Sequence, residues 1–398
     1  MKIALIIRRL NVEGGTQRQA LFFAQNLKKR GHHVVVYTFL RGEGANAELL
    51  QGLSVVPLGA YPKSRNALID FWNECRVSRR LAALIARDTE LLNPHDQVSY
   101  RVAYYFKKYV RNIPSVWMMN DMPTKTWGYW RERECGLRRR VSPFRKWIRR
   151  VYDRYDIGTA IRAQDAIAVL DNRDREWVRQ FFGKEATVVR SGLDLPRVPY
   201  RPLPPIKDKK LNLLAVGILF PHRRFEDLIT AVKMLSQRGY RTFCTIVGGY
   251  SPRDPYFEKL IALRSDLGLQ EAVRFAGVVS ESELVRYYQE SGAFVFPCHL
   301  QSWGMAVFEA MACGTPAIVS RSAGAHEVLT DGVNAFLIEP KDPRGIAAAV
   351  EELISNPALY MQISRNGRAF VEKHISWPQY ADAMLELFNA AIVNSGSL

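Results

Sequence analysis

The opening forty residues constrain the fold more than any other part of the chain. Five apolar residues, Ile3 to Ile7, lead to a glycine pair at Gly14 and Gly15, then a helical pattern from Thr16 to Arg30 closed by Gly31, then a second apolar run from His33 to Phe39. A short apolar run without polar alternation suits a strand buried on both faces. Strand, turn, helix and strand in that order begin a parallel sheet, because parallel neighbours need a crossover of a dozen or so residues. The pattern returns with strands near Ser115–Met119, Ala166–Leu170 and Thr187–Val189, so the first half is expected to be an α/β domain.

At 398 residues the chain is long enough for two cores, and a break is visible. Leu195 to Lys210 holds five prolines and little that could continue a helix or a central strand. Strand and helix patterns then resume: Leu211–Val216, a helix near Phe225–Arg238, Phe243–Val247, a helix near Tyr256–Leu267, Val273–Phe275, a helix near Glu281–Ser291, Ala293–Phe296, a helix over Val307–Cys313, Ala317–Ser320 and Ala335–Ile338. The expected layout is residues 1–195 plus 378–398 as one Rossmann-like domain, 196–210 as linker and 211–377 as a second, with the last helix crossing back to the first. Two such doubly wound domains leave a cleft between them.

Hydrophobic residues make up 47% of the chain, which excludes a disordered protein, and 56 Lys and Arg against 39 Asp and Glu give +17, which favours phosphate-bearing or anionic partners. The five cysteines, Cys75, Cys135, Cys244, Cys298 and Cys313, contain no C-x-x-C pair, so neither a disulfide framework nor a cysteine zinc site is indicated and a reducing cytoplasm is expected. The apolar opening is too short for a signal peptide, and no run approaches the roughly 18–20 apolar residues of a membrane span.

The most informative stretch runs from Pro297 to Pro316, Pro-Cys-His-Leu-Gln-Ser-Trp-Gly-Met-Ala-Val-Phe-Glu-Ala-Met-Ala-Cys-Gly-Thr-Pro. A strand ends at its start, Gly304 turns the chain, and Gly314 with Pro316 stops the next helix. The turn delivers a helix N-terminus to the carboxyl edge of the sheet, where unpaired amides suit a diphosphate. Taken residue by residue, it is equally a plain strand-to-helix turn with Glu309 as a solvated first-turn acid.

The whole string resembles the signature of retaining glycosyltransferase family 4, enzymes of the GT-B fold that use nucleotide diphosphate sugars. In that family a Glu, seven intervening residues and a second Glu precede Ala-Met-Ala-x-Gly-x-Pro; Gln301 stands at the first position and Glu309 keeps the second. The resemblance implies that Glu309 holds the nucleotide ribose, that backbone groups of Trp303, Gly304, Met305 and Ala306 bind donor sugar and diphosphate, and that Gln301 lies beside a donor-sugar hydroxyl. A glutamine there keeps a carbonyl acceptor and loses the charge.

Val216-Gly217-Ile218-Leu-Phe-Pro-His222-Arg223-Arg224 resembles the family's first strand and loop of the donor domain, with Ile218 in the place of a usual Arg and Arg223 aligned with a usual Lys. By resemblance Gly217, Arg223 and Arg224 meet the diphosphate, Arg223 stabilising the leaving group and Arg224 standing in for the missing Arg; the plain alternative is two exposed basic residues before a helix. Val273 to Val279 resembles the segment that meets the nucleobase, with Val278 as the contact. Ser322-Ala-Gly324-Ala-His326-Glu327 resembles the glycine turn behind the donor, with His326 structural. In the first half, Val12 to Arg18, with Gly14, Gly15 and Thr16, resembles the acceptor-side glycine loop, and its adjacent glycines differ from the spaced G-x-G-x-x-G of dinucleotide enzymes. Asn120-Asp121 follows a strand where the family often has His-Asp. Val188 to Asp194 matches the family's last turn before the linker.

The chain has no D-x-D and no zinc spacing among its seven histidines, so no metal and no cofactor beyond the donor substrate are expected. Residues 101–160 hold 15 Lys and Arg against 5 Asp and Glu, a net +10. Within them Phe144 to Tyr152 interleaves aromatic and aliphatic residues with Arg145, Lys146, Arg149 and Arg150, with Trp147 among them. On a helix this gives an apolar and a cationic face, which suits either packing on the domain or docking at an anionic bilayer; no nucleic-acid motif accompanies the charge.

These readings converge on a retaining, metal-independent hexosyltransferase of the GT-B type. Its second domain binds a nucleotide sugar and its first a glycan or lipid-linked acceptor, with Arg223, Gln301 and Asn120 as the catalytic set. The expected context is cytoplasmic assembly of surface polysaccharide or glycolipid, with peripheral attachment to the inner face of a membrane. Two rivals stay open: a GT-B epimerase or phosphorylase, and an inactive glycosyltransferase-like protein that binds lipid or a partner, suggested by Ile218, Gln301 and Asn120.

Overall fold

A computed structural model describes residues 1–396 apart from 13, 43–45, 63, 65, 125–126, 128–133, 135–141, 204–205 and 252. Glu13 of the glycine loop, Cys135, two prolines of the 195–210 stretch and much of the basic run before residue 142 lie outside the described residues. The chain divides into two compact units, one drawn from 1–130, 139–192 and 377–398, the other from 131–138 and 193–376.

The first unit holds β1 (Lys2–Leu10), β2 (His33–Arg41), β3 (Ser54–Pro57), β4 (Leu91–Pro94), β5 (Val116–Met119), β6 (Ala166–Val169) and β7 (Thr187–Val188). Pairing is parallel in the order β3-β2-β1-β4 and again β5-β6-β7, and bridges Leu92 to Ser115 and His95 to Met118 join the two groups. Ile3 to Ile7 are buried, as a strand covered by helices on both faces requires. The helix Gly15–Lys29 turns Ala20, Leu21, Phe23, Ala24 and Leu27 inward at three- and four-residue spacing, and Lys28 and Lys29 sit at its negative end. The last helix, Trp377–Asn394, packs on it: Trp377 stacks on Phe22 at 5.1 Å, Tyr380 meets Phe23 edge-on at 5.1 Å, and Arg30 pairs with Asp382.

The second unit holds β8 (Lys210–Val216), β9 (Arg241–Val247), β10 (Val273–Gly277), β11 (Ala293–Phe296), β12 (Ala317–Ser320) and β13 (Phe336–Ile338), all parallel, in the order β10-β9-β8-β11-β12-β13. Both sheets therefore start in the middle, wind outward to one side, and resume on the other. That is the Rossmann order, with its reversal beside the first strand of each unit. The described residues of 193–209 pack within the second unit: Leu203 is buried, Arg201 N donates to Cys313 O and Gln289 donates to Pro199 O. Helix starts are signed locally, by a Ser280–Glu283 capping box and by Asp254-Pro255, Asp342-Pro343 and Asn356-Pro357 caps.

Candidate functional site

In a doubly wound sheet, ligands bind outside the carboxyl ends of the strands where the order reverses. In the second unit that point lies between β8 and β11. β8 ends at Val216, and Gly217 follows with φ +154°. A Cβ on Gly217 would lie 3.1 Å from Arg223 Nε and 3.2 Å from its Cζ, so the guanidinium lies against bare backbone that only glycine offers. On its far side Arg223 Nη1 is 3.6 Å from Cys298 Sγ, and its Cζ is 5.7 Å from the Phe296 ring centroid. Arg223 thus spans the reversal from the β8 loop to the end of β11. Its Nε is buried and has no hydrogen-bond partner among the described residues. Gly248, just beyond β9, braces the loop: its φ is +153°, and a Cβ there would lie 2.0 Å from Gly217 O.

The loop after β11 carries the second group of candidates. Leu300 has φ +59° and its N–H donates to Ser322 Oγ at 2.9 Å, which also lies 3.1 Å from His299 Nδ1. Gln301 bridges to Ala323, and its carbonyl accepts from Gly324 N at 3.0 Å, so the 322–324 turn holds the loop from behind. Trp303 is buried and stacks on Phe308 at 4.7 Å. Gly304, with φ +93°, precedes helix Met305–Cys313, and no side chain caps that helix. Gly304 is forced here, since a Cβ would lie 2.7 Å from the Phe296 ring. The first-turn N–H groups at Met305 and Ala306 have no intrahelical acceptor, and helix geometry gives them partial positive charge beside Phe296 and the Arg223 it faces. Glu309, one turn on and 8% exposed, accepts from Tyr288 Oη at 2.8 Å. Burial pushes the Cys298 thiol up, with the neighbouring Arg223 charge pulling the other way.

Val278 is 83% exposed, and Ile218, Phe220 and Tyr250 from the neighbouring strand-end loops are also exposed. Together they give the edge a shelf of apolar surface near the cationic pocket. Arg224, expected to add charge for a diphosphate, has its fork engaged within its own chain. Its Nε and Nη2 hold both oxygens of Asp227 at 2.9 and 2.7 Å, and Nη1 holds Glu226 at 3.0 Å. It sits in left-handed backbone at the start of helix Phe225–Gln237, and the acids of that helix's own first turn take up its fork. His326 Nδ1 lies 2.8 Å from Ala323 O, within a short helical turn.

At the reversal of the first unit, Gly14 caps helix Gly15–Lys29 in extended backbone, and Gln17 turns back to donate to Arg9 O at 3.2 Å. Thr16 lies in the first turn of that helix. Asn120 and Asp121 follow β5; Asn120 Nδ2 is buried without a partner among the described residues, and Asp121 accepts from Met122 N at 2.9 Å. The structure adds a pair that sequence reading misses. His95 and Asp96 follow β4, both buried, with Asp96 at φ +65° accepting from Ser99 Oγ at 2.9 Å and Arg8 N at 3.3 Å. Burial pushes the Asp96 carboxyl up to about 7 and the His95 imidazole down to about 3.

Helix Pro143–Asp156 carries the basic candidates. Ile148, Tyr152, Asp153 and Asp156 face inward, the last accepting from Arg101 Nε at 2.7 Å and from Tyr100 Oη at 3.1 Å. Phe144 (66% exposed), Trp147 (60%), Val151 and Tyr155 are exposed and form an apolar stripe at three- and four-residue spacing, directly beside Ile148 and Tyr152. Arg145, Lys146 and Arg150 are exposed and Arg149 is partly so. The helix therefore has one broad apolar arc, buried along one edge and exposed along the other, with its basic residues on the opposite side. Among the described residues no helix is long and apolar enough to cross a membrane, and Cys75, Cys244, Cys298 and Cys313 are free thiols.

Comparison with known proteins follows the same division. The family model described as Glycosyltransferase Family 4 matches residues 13–197, and the one described as Glycosyl transferases group 1 matches residues 200–370. Glycogen synthase of Mycobacterium tuberculosis is 28% identical over 234 residues, 58% of this chain and 55% of that protein. A GDP-mannose-dependent alpha-(1-6)-phosphatidylinositol monomannoside mannosyltransferase of Mycolicibacterium smegmatis is 29% identical over 184 residues, 44% of this chain and 47% of that one. The chain spans about half the length of these curated relatives. Among solved structures, HepE of Anabaena with UDP and glucose superposes with a TM-score of 0.76 at 16% identity, covering 98% of this chain and 100% of that one.

Proposed function

The chain belongs to glycosyltransferase family 4, with the two Rossmann-like units of the GT-B fold, and from that premise we propose that it transfers a hexosyl group from a nucleotide diphosphate sugar to an acceptor hydroxyl with retention at the anomeric carbon. The observation that supports this best is the Arg223 guanidinium lying on Gly217 and directed at the end of β11, beside the uncapped helix at Gly304. A diphosphate bound there meets a permanent, forked cation and a set of oriented N–H groups. Such groups stabilise the charge that grows on a leaving diphosphate without reorganising, so no divalent ion is required. Glu309 takes a ribose hydroxyl, the apolar shelf of Ile218 and Val278 takes the base, and the donor sugar lies by Gln301.

On the acceptor side we assign Gly14, Gly15, Thr16, Asn120 and Asp121, with the buried Asp96 at the end of β4. Asn120 orients a hydroxyl and cannot remove its proton, so the leaving phosphate itself takes that proton. The exposed stripe of Phe144, Trp147 and Val151, flanked by Arg145, Lys146 and Arg150, supports docking at an anionic bilayer and hence a lipid-linked acceptor. The mannosyltransferase of Mycolicibacterium smegmatis, named for a phosphatidylinositol acceptor, supports the same choice. The test is turnover with UDP-, GDP- and ADP-sugars over a panel of lipid and glycan acceptors, with and without a chelator, and the product's anomeric configuration read by NMR. Acceptor-dependent release of one nucleotide diphosphate, unaffected by chelator and with a retained anomer, is expected. An inverted product, or activity that vanishes with the chelator, contradicts it.

A further inference from the structure

The first unit contains a cavity of about 580 Å³ that none of the roles above uses. Its wall is largely apolar: Met122, Trp127, Ile157, Trp177 and Phe181, with the Trp127 and Trp177 ring centroids 4.0 Å apart. Arg150 and Arg154, one turn apart on helix Pro143–Asp156, also line it, with Asp153 between them, leaving two cations against one carboxylate. The volume is in the range of small-molecule sites, and an apolar wall with a few charged groups is their usual composition. Met122 lies two residues beyond Asn120 at the carboxyl end of β5, so the cavity adjoins the candidate acceptor edge of the same unit. Arg150 and Arg154 sit on the helix that also carries the outward stripe of Trp147 and Val151, so one element borders both the cavity and the exposed apolar surface.

We propose that this cavity holds the first part of the alkyl or isoprenyl chain of a lipid phosphate, with Arg150 and Arg154 on the phosphate. The inference deepens the lipid-linked reading of the acceptor and rests on it. Charge complementarity selects the occupant: a neutral lipid leaves one of the two arginine charges unmatched by Asp153, and a free phosphate leaves the aromatic wall wet. Membrane docking and chain capture share Arg150, but Phe144 and Trp147 belong to docking alone and Arg154 and Phe181 to the cavity alone, so the two separate experimentally.

The probe is decyl phosphate, titrated by calorimetry and by the tryptophan emission of the full chain, against decanol and inorganic phosphate. Saturable binding of decyl phosphate at least tenfold tighter than either control is expected. Phe181→Asp, at a position 54% exposed and so tolerant of substitution, and the double variant Arg150→Ala with Arg154→Ala should each weaken it tenfold or more. Phe144→Asp with Trp147→Asp should lose vesicle binding and keep decyl phosphate binding. Non-saturable uptake, equal affinity for decanol, or unchanged affinity in both cavity variants overturns the proposal. If Phe144→Asp with Trp147→Asp leaves vesicle binding intact while the cavity variants behave as expected, docking is wrong and the cavity assignment survives.

Discussion

Of two adjacent glycines, one should be sensitive to replacement by alanine and the other indifferent to it. Gly248 has φ +153°, and an added Cβ would lie 2.0 Å from Gly217 O and 2.5 Å from Gly217 C, both backbone atoms. Nothing there is the free end of a side chain, so the ends of β8 and β9 must part. Strain at such a backbone conformation costs about 1–3 kcal/mol, and overpacking costs about 1–3 kcal/mol more. Gly248→Ala should therefore lose about 2–6 kcal/mol, which at roughly 2–4 °C per kcal/mol for a unit of this size lowers the melting temperature by about 4–24 °C. It should also move Gly217, on which Arg223 lies, and so weaken nucleotide diphosphate binding. At Gly249 the nearest atom to an added Cβ is Val278 Cγ2 at 3.3 Å, an exposed side chain that can give way, so Gly249→Ala should melt within about 1 °C of the parent. Differential scanning fluorimetry with and without nucleotide reads both effects. A Gly248→Ala protein that melts and binds like the parent refutes the packing argument.

Glu309→Ala should weaken nucleotide diphosphate binding about tenfold, as loss of a hydrogen bond to a charged group predicts, and Tyr288→Phe, which removes only the partner at 2.8 Å, should weaken it less; calorimetry distinguishes them. Asp96 binds a proton in the folded protein that the unfolded chain has released between pH 4 and 7, so its contribution favours folding at acid pH and is lost as pH rises through about 7. Asp96→Asn should remove that slope, gaining up to about 4 kcal/mol at pH 8 relative to pH 4. Urea midpoints at the two pH values read it, and a variant with the parental slope contradicts the assignment. Phe144→Asp with Trp147→Asp should release the protein from anionic vesicles in sedimentation, and an unchanged bound fraction counts against docking.

Most of the second unit is legible because its strands are uninterrupted apolar runs bounded by glycine and proline. Ala293–Phe296 and Ala317–Ser320 coincide with the expected strands to the residue. The middle of the first unit is not. β4 is Leu-Leu-Asn-Pro, four residues of which two do not look like strand, so neither it nor the His95 and Asp96 beyond it carries a local signature. Their burial follows from β4 lying between β1 and β5, a tertiary fact that the neighbouring residues do not announce. The ion pairs of Arg224 are hidden for a related reason: Glu226 and Asp227 read as ordinary helix-start acids, and nothing in their spacing says that they take up its fork. Gly248 does have a signal, since it follows an apolar strand as Gly217 does. For helix 143–156 the sequence suggests one apolar and one cationic face. It has those two faces, but the apolar one is wider than the unit covers, so Phe144, Trp147 and Val151 stay exposed beside the buried Ile148 and Tyr152.

The central claim is that Arg223 and the amides after Gly304 recognise a second phosphate. Calorimetric titration of UDP, GDP and ADP beside UMP, GMP and AMP tests it, on the parent protein and on Arg223→Met. One diphosphate should bind at least tenfold tighter than its own monophosphate, and Arg223→Met should erase most of that difference while leaving monophosphate binding nearly unchanged. Equal affinity for diphosphate and monophosphate in the parent, or a preference that survives the loss of the guanidinium, contradicts it.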